Sequence, residues 1–183
     1  MPVIHKHSGV PAVRAAIGTG LAVAARAPLG LRPPQLWAGL RFGGAAAALV
    51  AGGVAATTAV PRVRAGMHGR ELPEGATRWL ALDIPLGTVW TEETIFRGVL
   101  ATLAARAIGP SRGRLLQAAA FGLWHIPDAK RTGEPIVGTV LVTAVAGWVF
   151  AWLAERSGSV LAPVLAHLAI NEAGAVAALV VQR

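Results

Sequence analysis

The sequence predicts an all-α, polytopic membrane protein: five to six transmembrane or membrane-embedded helices around a polar intramembrane cavity. Three observations lead there. The chain is 54% hydrophobic and only 14% charged, with a mean hydropathy of +0.56, which is too apolar for an ordinary soluble domain. Apolar runs near spanning length recur along it, separated by Pro/Gly-rich, arginine-bearing connections. A few ionisable side chains nevertheless fall inside the runs, where they are expensive and mark function. The most prominent is Thr91-Glu92-Glu93-Thr94-Ile95-Phe96-Arg97-Gly98.

The formal net charge is +8. The basic residues sit mostly in connections that would face anionic lipid. No basic stripe is interleaved with aromatics, which excludes nucleic acid as a partner and leaves the lipid bilayer. There are no cysteines, so disulfides, Cys-ligated metals and thiol nucleophiles are excluded.

Residues 1–9 read as a polar tail; His5 and His7 there are metal-capable types on a terminus. Residues 10–27 form a weak Ala/Gly-rich segment that spans or lies at the interface. Arg14 and Arg26 interrupt it, so it lacks the layout of a cleavable signal peptide. After the Pro-rich break at 28–35, residues 36–60 form a good spanning candidate. Gly43, Gly44, Gly52 and Gly53 allow close helix contact there. Residues 61–78 read as a charged loop. A helix over 79–108 carries the glutamates, with Pro85 and Gly87 predicting a kink or a short lead-in helix. Gly109-Pro110-Ser111 ends it. Residues 115–126 form a short helix stopped by Pro127, and 128–134 a polar loop. Residues 136–154 span, 155–158 turn, and Ser159 caps a last helix to about residue 180, with Pro163 in its first turn. Residues 1–78 thus read as tail, accessory helices and basic loop, and 79–183 as the functional core. Alternate loops carry similar Lys and Arg counts, so the positive-inside rule assigns no orientation.

Glu93 and Arg97 are four apart and share a helix face, whereas Glu92 lies about 100° round it. One carboxylate is therefore neutralised while the other stays free. A buried ion pair that only fixes packing is the plain alternative, and the spare Glu92 argues against it. Three further polar residues lie in apolar segments. His125 ends the short helix as Phe121-Gly122-Leu123-Trp124-His125. His167 and Asn171 share one face of the last helix, about 6 Å apart along its axis. Singly, these are interfacial residues or interhelical hydrogen-bond glue. Together they are the parts for hydrolysis. A carboxylate can act as general base on water. Glu92, His125 and His167 can hold a catalytic Zn2+ with one position open. Without metal, His and Asn side chains can donate to an oxyanion. No nucleophile elbow and no HExxH helix is present.

Glu92-Glu93-x-x-x-Arg97, Phe121-x-x-x-His125 and His167-x-x-x-Asn171, in this order, resemble the three motifs of the CPBP intramembrane proteases. That family includes the CAAX prenyl endopeptidases and the Abi-type bacteriocin-processing or self-immunity proteins. The resemblance covers about residues 79–175, and no motif position is missing. It implies a multi-pass protein of a bacterial plasma membrane with its site in a cavity open to the membrane. Glu92 would activate water with help from His125. Glu93, Arg97 and Phe121 would support the site. His167 and Asn171 would hold the oxyanion or a metal. The expected substrate is a peptide or membrane protein, lipidated substrates included. The rival readings are a non-catalytic immunity or scaffold protein, and a proton-coupled transporter using Glu92, His125 and His167 as a relay; no internal repeat supports the latter.

Overall fold

The structure, a computed structural model, describes residues 10–183; His5 and His7 lie outside them. Every regular element among the described residues is helical. Helix α1 runs Val10–Ala24, α2 Gln35–Thr58 and α3 Pro61–His68. Helix α4 occupies residues 76–108, and α5 runs Pro110–Trp124. Then follow α6 Ile126–Thr132, α7 Ile136–Ser157 and α8 Leu161–Val181.

Three helices, α2, α7 and α8, are long and apolar enough to cross a membrane. At 15 residues each, α1 and α5 extend about 22 Å, short of ~30 Å of hydrocarbon. The outward face of α7, including Val137, Leu141, Val142 and Val145, is exposed. A contiguous apolar face of this kind is rare on a soluble monomer and suits lipid.

Helix α4 differs from the expected kink or lead-in helix. It is continuous, but Trp79–Trp90 and Thr94–Leu100 are wound in wide π turns, flanking an α-helical turn at Thr91–Glu93. Pro85 supplies the physical reason for the first stretch, because its ring crowds the carbonyl of Ala81 and it has no N–H to donate. Widening the helix accommodates this without breaking the rod, and π turns often accompany functional sites. The glutamates thus sit at the junction between two π stretches.

Two predicted loops are helices instead. Pro61 and Pro127 lie in the first turns of α3 and α6, where a missing N–H costs little. Pro127 therefore starts a helix as well as following one. At the end of α8, the Gln182 amide donates to the carbonyls of Met67 and Arg70 at 2.9 and 2.8 Å, tying down the chain after α3.

The packing surrounds the middle of α4. Helix α1 lies along both π stretches, and α5, α7 and α8 close the other sides. The Trp90 indole donates to Thr19 Oγ1 at 2.8 Å, fixing α1 to α4. Helix α2 packs along α8 through Gly39 and Gly43. A Cβ on Gly43 would come within 2.9 Å of the Ala162 Cα and carbonyl oxygen, and one on Gly39 within 2.7 Å of Ser159 Oγ. Gly44, Gly52 and Gly53 meet nothing within 4 Å, so the predicted close contact belongs to Gly43 and to Gly39, one turn earlier. The core between α4, α5, α7 and α8 is built on Phe96, Phe121, Phe150 and Leu153.

The chain reverses after α7 at Gly158, in the left-handed region with φ 66°. Ser159 Oγ then accepts from the Leu161 N–H at 3.2 Å, one residue ahead of Val160, which takes the N-cap position expected for Ser159. The extended connection after α1 crosses this turn. Leu29 accepts from the Val160 N–H at 3.0 Å, and Gly30 lies so close to the Gly158 carbonyl that no Cβ fits there.

Candidate active site

The centre is Glu93, which is fully buried. Its Oε1 accepts from Arg97 Nη1 at 3.2 Å and from His167 Nδ1 at 2.8 Å. A carboxylate only accepts, so Nδ1 of His167 carries the proton. The Arg97 Nη2 donates to the Gly147 carbonyl of α7 at 3.2 Å. Its guanidinium lies 4.1 Å from the Phe121 ring centre and 5.0 Å from that of Phe150, within cation–π range. Phe150 also stacks on the His167 ring, 5.1 Å between centres. One ion pair on α4 is thus joined to α5, α7 and α8 by named contacts, and its low-dielectric setting strengthens each of them.

Glu92 is held differently. Its Oε1 accepts from the Trp124 indole N–H at 3.1 Å. Its Oε2 is buried without a hydrogen-bond partner and lies 4.0 Å from His167 Nε2. When His167 is neutral, Nε2 offers a lone pair, because Nδ1 holds the proton. Two acceptors therefore lie 4.0 Å apart, and a molecule donating to both would satisfy them.

The remaining sequence-predicted residues are near but bonded elsewhere. His125 Nδ1 donates to the Phe121 carbonyl at 2.7 Å, which leaves Nε2 as the acceptor of the neutral ring. Its ring packs edge-on against Phe121, 4.7 Å between centres. Asn171 Nδ2 donates to the His167 carbonyl at 3.2 Å. The structure therefore joins Glu92, Glu93, Arg97 and His167 directly, with Phe121 against Arg97. It attaches His125 through Phe121 and Asn171 through the His167 backbone.

Three contributors escaped the sequence reading. Gln117 is fully buried and donates to the same Gly147 carbonyl at 3.0 Å. It is a lone amide in an apolar segment, four residues before Phe121, and that spacing was its available signal. Trp124 reads like any lipid-facing aromatic, and Phe150 like any apolar helix residue.

Among the described residues, no group of three or more His, Cys, Asp and Glu side chains is gathered to hold a metal ion. Glu92 Oε2 and His167 Nε2 form a facing pair, whereas a catalytic zinc takes three protein ligands. The facing pair supplies two of those three ligands.

Fold and site define a helical membrane protein with a carboxylate–imidazole–guanidinium cluster buried among its helices. Residues 74–173 match the family model described as type II CAAX prenyl endopeptidase Rce1-like. The match covers more than half of the chain and all seven motif residues from Glu92 to Asn171, and the chain belongs to this family. It is a CAAX-type intramembrane protease in its general class. No curated protein and no solved structure matches the chain.

Proposed function

We propose that the protein hydrolyses peptide bonds in or near the membrane, with Glu92 as the general base on water. The observation that carries this reading is the asymmetry of the two glutamates. Glu93 is bonded to Arg97 and His167, whereas Glu92 Oε2 is buried, unpartnered and 4.0 Å from His167 Nε2. A water donating to both atoms is aligned for deprotonation. Glu92 takes its proton as the oxygen attacks the peptide carbonyl carbon. Neutral His167 keeps Nδ1–H on Glu93 and holds the water's second proton on Nε2 through the attack. Glu92 then returns the proton to the leaving nitrogen as the C–N bond breaks, His167 Nε2 takes the remaining hydroxyl proton, and the products are a carboxylate and an amine. His125 lies beside the pair as a second imidazole. Asn171 reaches the oxyanion by releasing the His167 carbonyl.

In this reading residues 79–183 are the catalytic core, and α1 to α3 are accessory. The protein is a multi-pass protein of a bacterial plasma membrane. Its substrates are peptides or membrane-protein segments, lipidated C-termini among them.

The test is proteolysis in liposomes with a quenched peptide library that includes lipidated C-terminal peptides. Removing a general base typically costs ~100- to 10,000-fold in rate. Glu92→Gln and His167→Ala are expected to lose cleavage on that scale while staying folded. Cleavage retained in Glu92→Gln sinks the assignment. Loss of activity with a chelator, restored by zinc, replaces the metal-free mechanism with a metal-assisted one.

A further inference from the structure

A cavity of about 470 Å³ opens between the last turns of α4, the start of α5 and the end of α7. Its charged lining is Arg97, Arg106, Arg114 and Glu155, on walls that are otherwise mostly alanine and proline. Three arginines against one glutamate leave it basic. Glu92, Glu93 and His167 do not line it, so it is separate from the site above, with Arg97 as the shared wall.

Two features point to an anion. Arg97 Nη1 and Nη2 are occupied by Glu93 and the Gly147 carbonyl, but Nε is buried without an acceptor. A buried charged donor left unpaired is costly, and the side chain that carries it forms part of the cavity wall. Nearer the rim, Arg114 is held by a half-exposed Glu155 at 3.1 Å and by the Trp148 ring 5.7 Å from its guanidinium, contacts weak enough for it to turn to a ligand. The location selects the source. The spanning helices α7 and α8 meet beside the cavity, one ending at Ser157 and the other starting at Leu161. The mouth therefore lies near the membrane surface, where lipid phosphates are the concentrated anions. The alanine walls suit a glycerol backbone and the start of acyl chains.

We propose that this cavity binds the phosphate of an anionic phospholipid headgroup, with Arg114 at the rim and the Arg97 side chain in the inner wall. Occupancy then bears on the same guanidinium that holds Glu93. The proposal does not depend on hydrolysis.

The experiment is lipid retention by the full chain in a neutral detergent, read by native mass spectrometry with added phosphatidylglycerol or phosphatidylcholine. One phosphatidylglycerol per chain is expected, in preference to phosphatidylcholine. Arg114→Gln, which removes the Glu155 ion pair and the contact with the Trp148 ring, and Ala154→Phe, which fills the cavity, are each expected to weaken retention about tenfold or more. Circular dichroism checks their folding, and Arg114→Gln decides alone if Ala154→Phe misfolds. Equal retention of both lipids, or unchanged retention in folded variants, overturns the proposal. Tighter binding of inorganic phosphate than of phosphatidylglycerol overturns the lipid assignment. Displacement of the lipid by a short peptide with a free C-terminal carboxylate does so too, and gives the cavity to a peptide instead.

Discussion

The two adjacent glutamates differ because their partners differ. Glu93 sits at 0% exposure, where a carboxylate persists only with a cation and hydrogen bonds. Arg97 supplies charge, a second bond to Gly147 and a flat face between two phenyl rings. Lysine can replace the charge but not the fork or the stacking. Arg97→Ala is expected to cost about 3–5 kcal/mol by stranding Glu93. Arg97→Lys should cost less, about 1–3 kcal/mol from lost stacking and one bond. Unfolding midpoints in detergent check the order, and equal tolerance of both changes removes the ion-pair account. Trp124 offers a subtler test, since its ring is exposed while its N–H orients Glu92. Trp124→Phe keeps the ring and loses the donor. A loss of about 1 kcal/mol in transition-state stabilisation lowers kcat roughly fivefold, with the unfolding midpoint unmoved. A kcat equal to wild type means the indole does not position the base.

At the scale of the helices, the junction of α2 and α8 is set by close backbone approach. Gly43→Ala would push a methyl to 2.9 Å from two backbone atoms of Ala162, an overpacking cost of about 1–3 kcal/mol. Gly52→Ala meets open space and is expected to be neutral or stabilising by up to ~1 kcal/mol through helix propensity. Opposite signs in a denaturant titration would support this contact; equal effects would refute it. This pair also shows what was legible beforehand. Gly39-x-x-x-Gly43 is the small-residue spacing of close helix pairs, yet glycine counting pointed equally at Gly44, Gly52 and Gly53. The ion pair was readable, because four-residue spacing on a helix has one geometric meaning. The π turns were only half visible: Pro85 signalled a disturbance, but whether a helix kinks or widens depends on the α1, α5, α7 and α8 contacts around it. Gln117 and Phe150 became part of the site only through Gly147 and His167, partners 30 and 17 residues away in sequence. The helices α3 and α6 were hidden by reading proline as a terminator alone.

For the molecule as a whole, the cluster is shared by helices distant in the chain, so its geometry depends on the fold closing around α4. Apolar side chains face outward on α7 while charged and polar ones gather inward, the inversion expected when lipid is the solvent. The family match spans the glutamate helix through most of α8, but the structure sets α1 against α4 and α2 against α8, so the preceding helices help enclose the site. The crossing of Gly30 over Gly158 has a practical corollary for anyone mapping topology with reporters. Splicing an epitope or a fluorescent tag into either connection would prise apart two strands of backbone in van der Waals contact, and the fusion would misreport because it would misfold. The stretch around Gly75, where even an added methyl meets nothing within 4 Å, is the place to splice one.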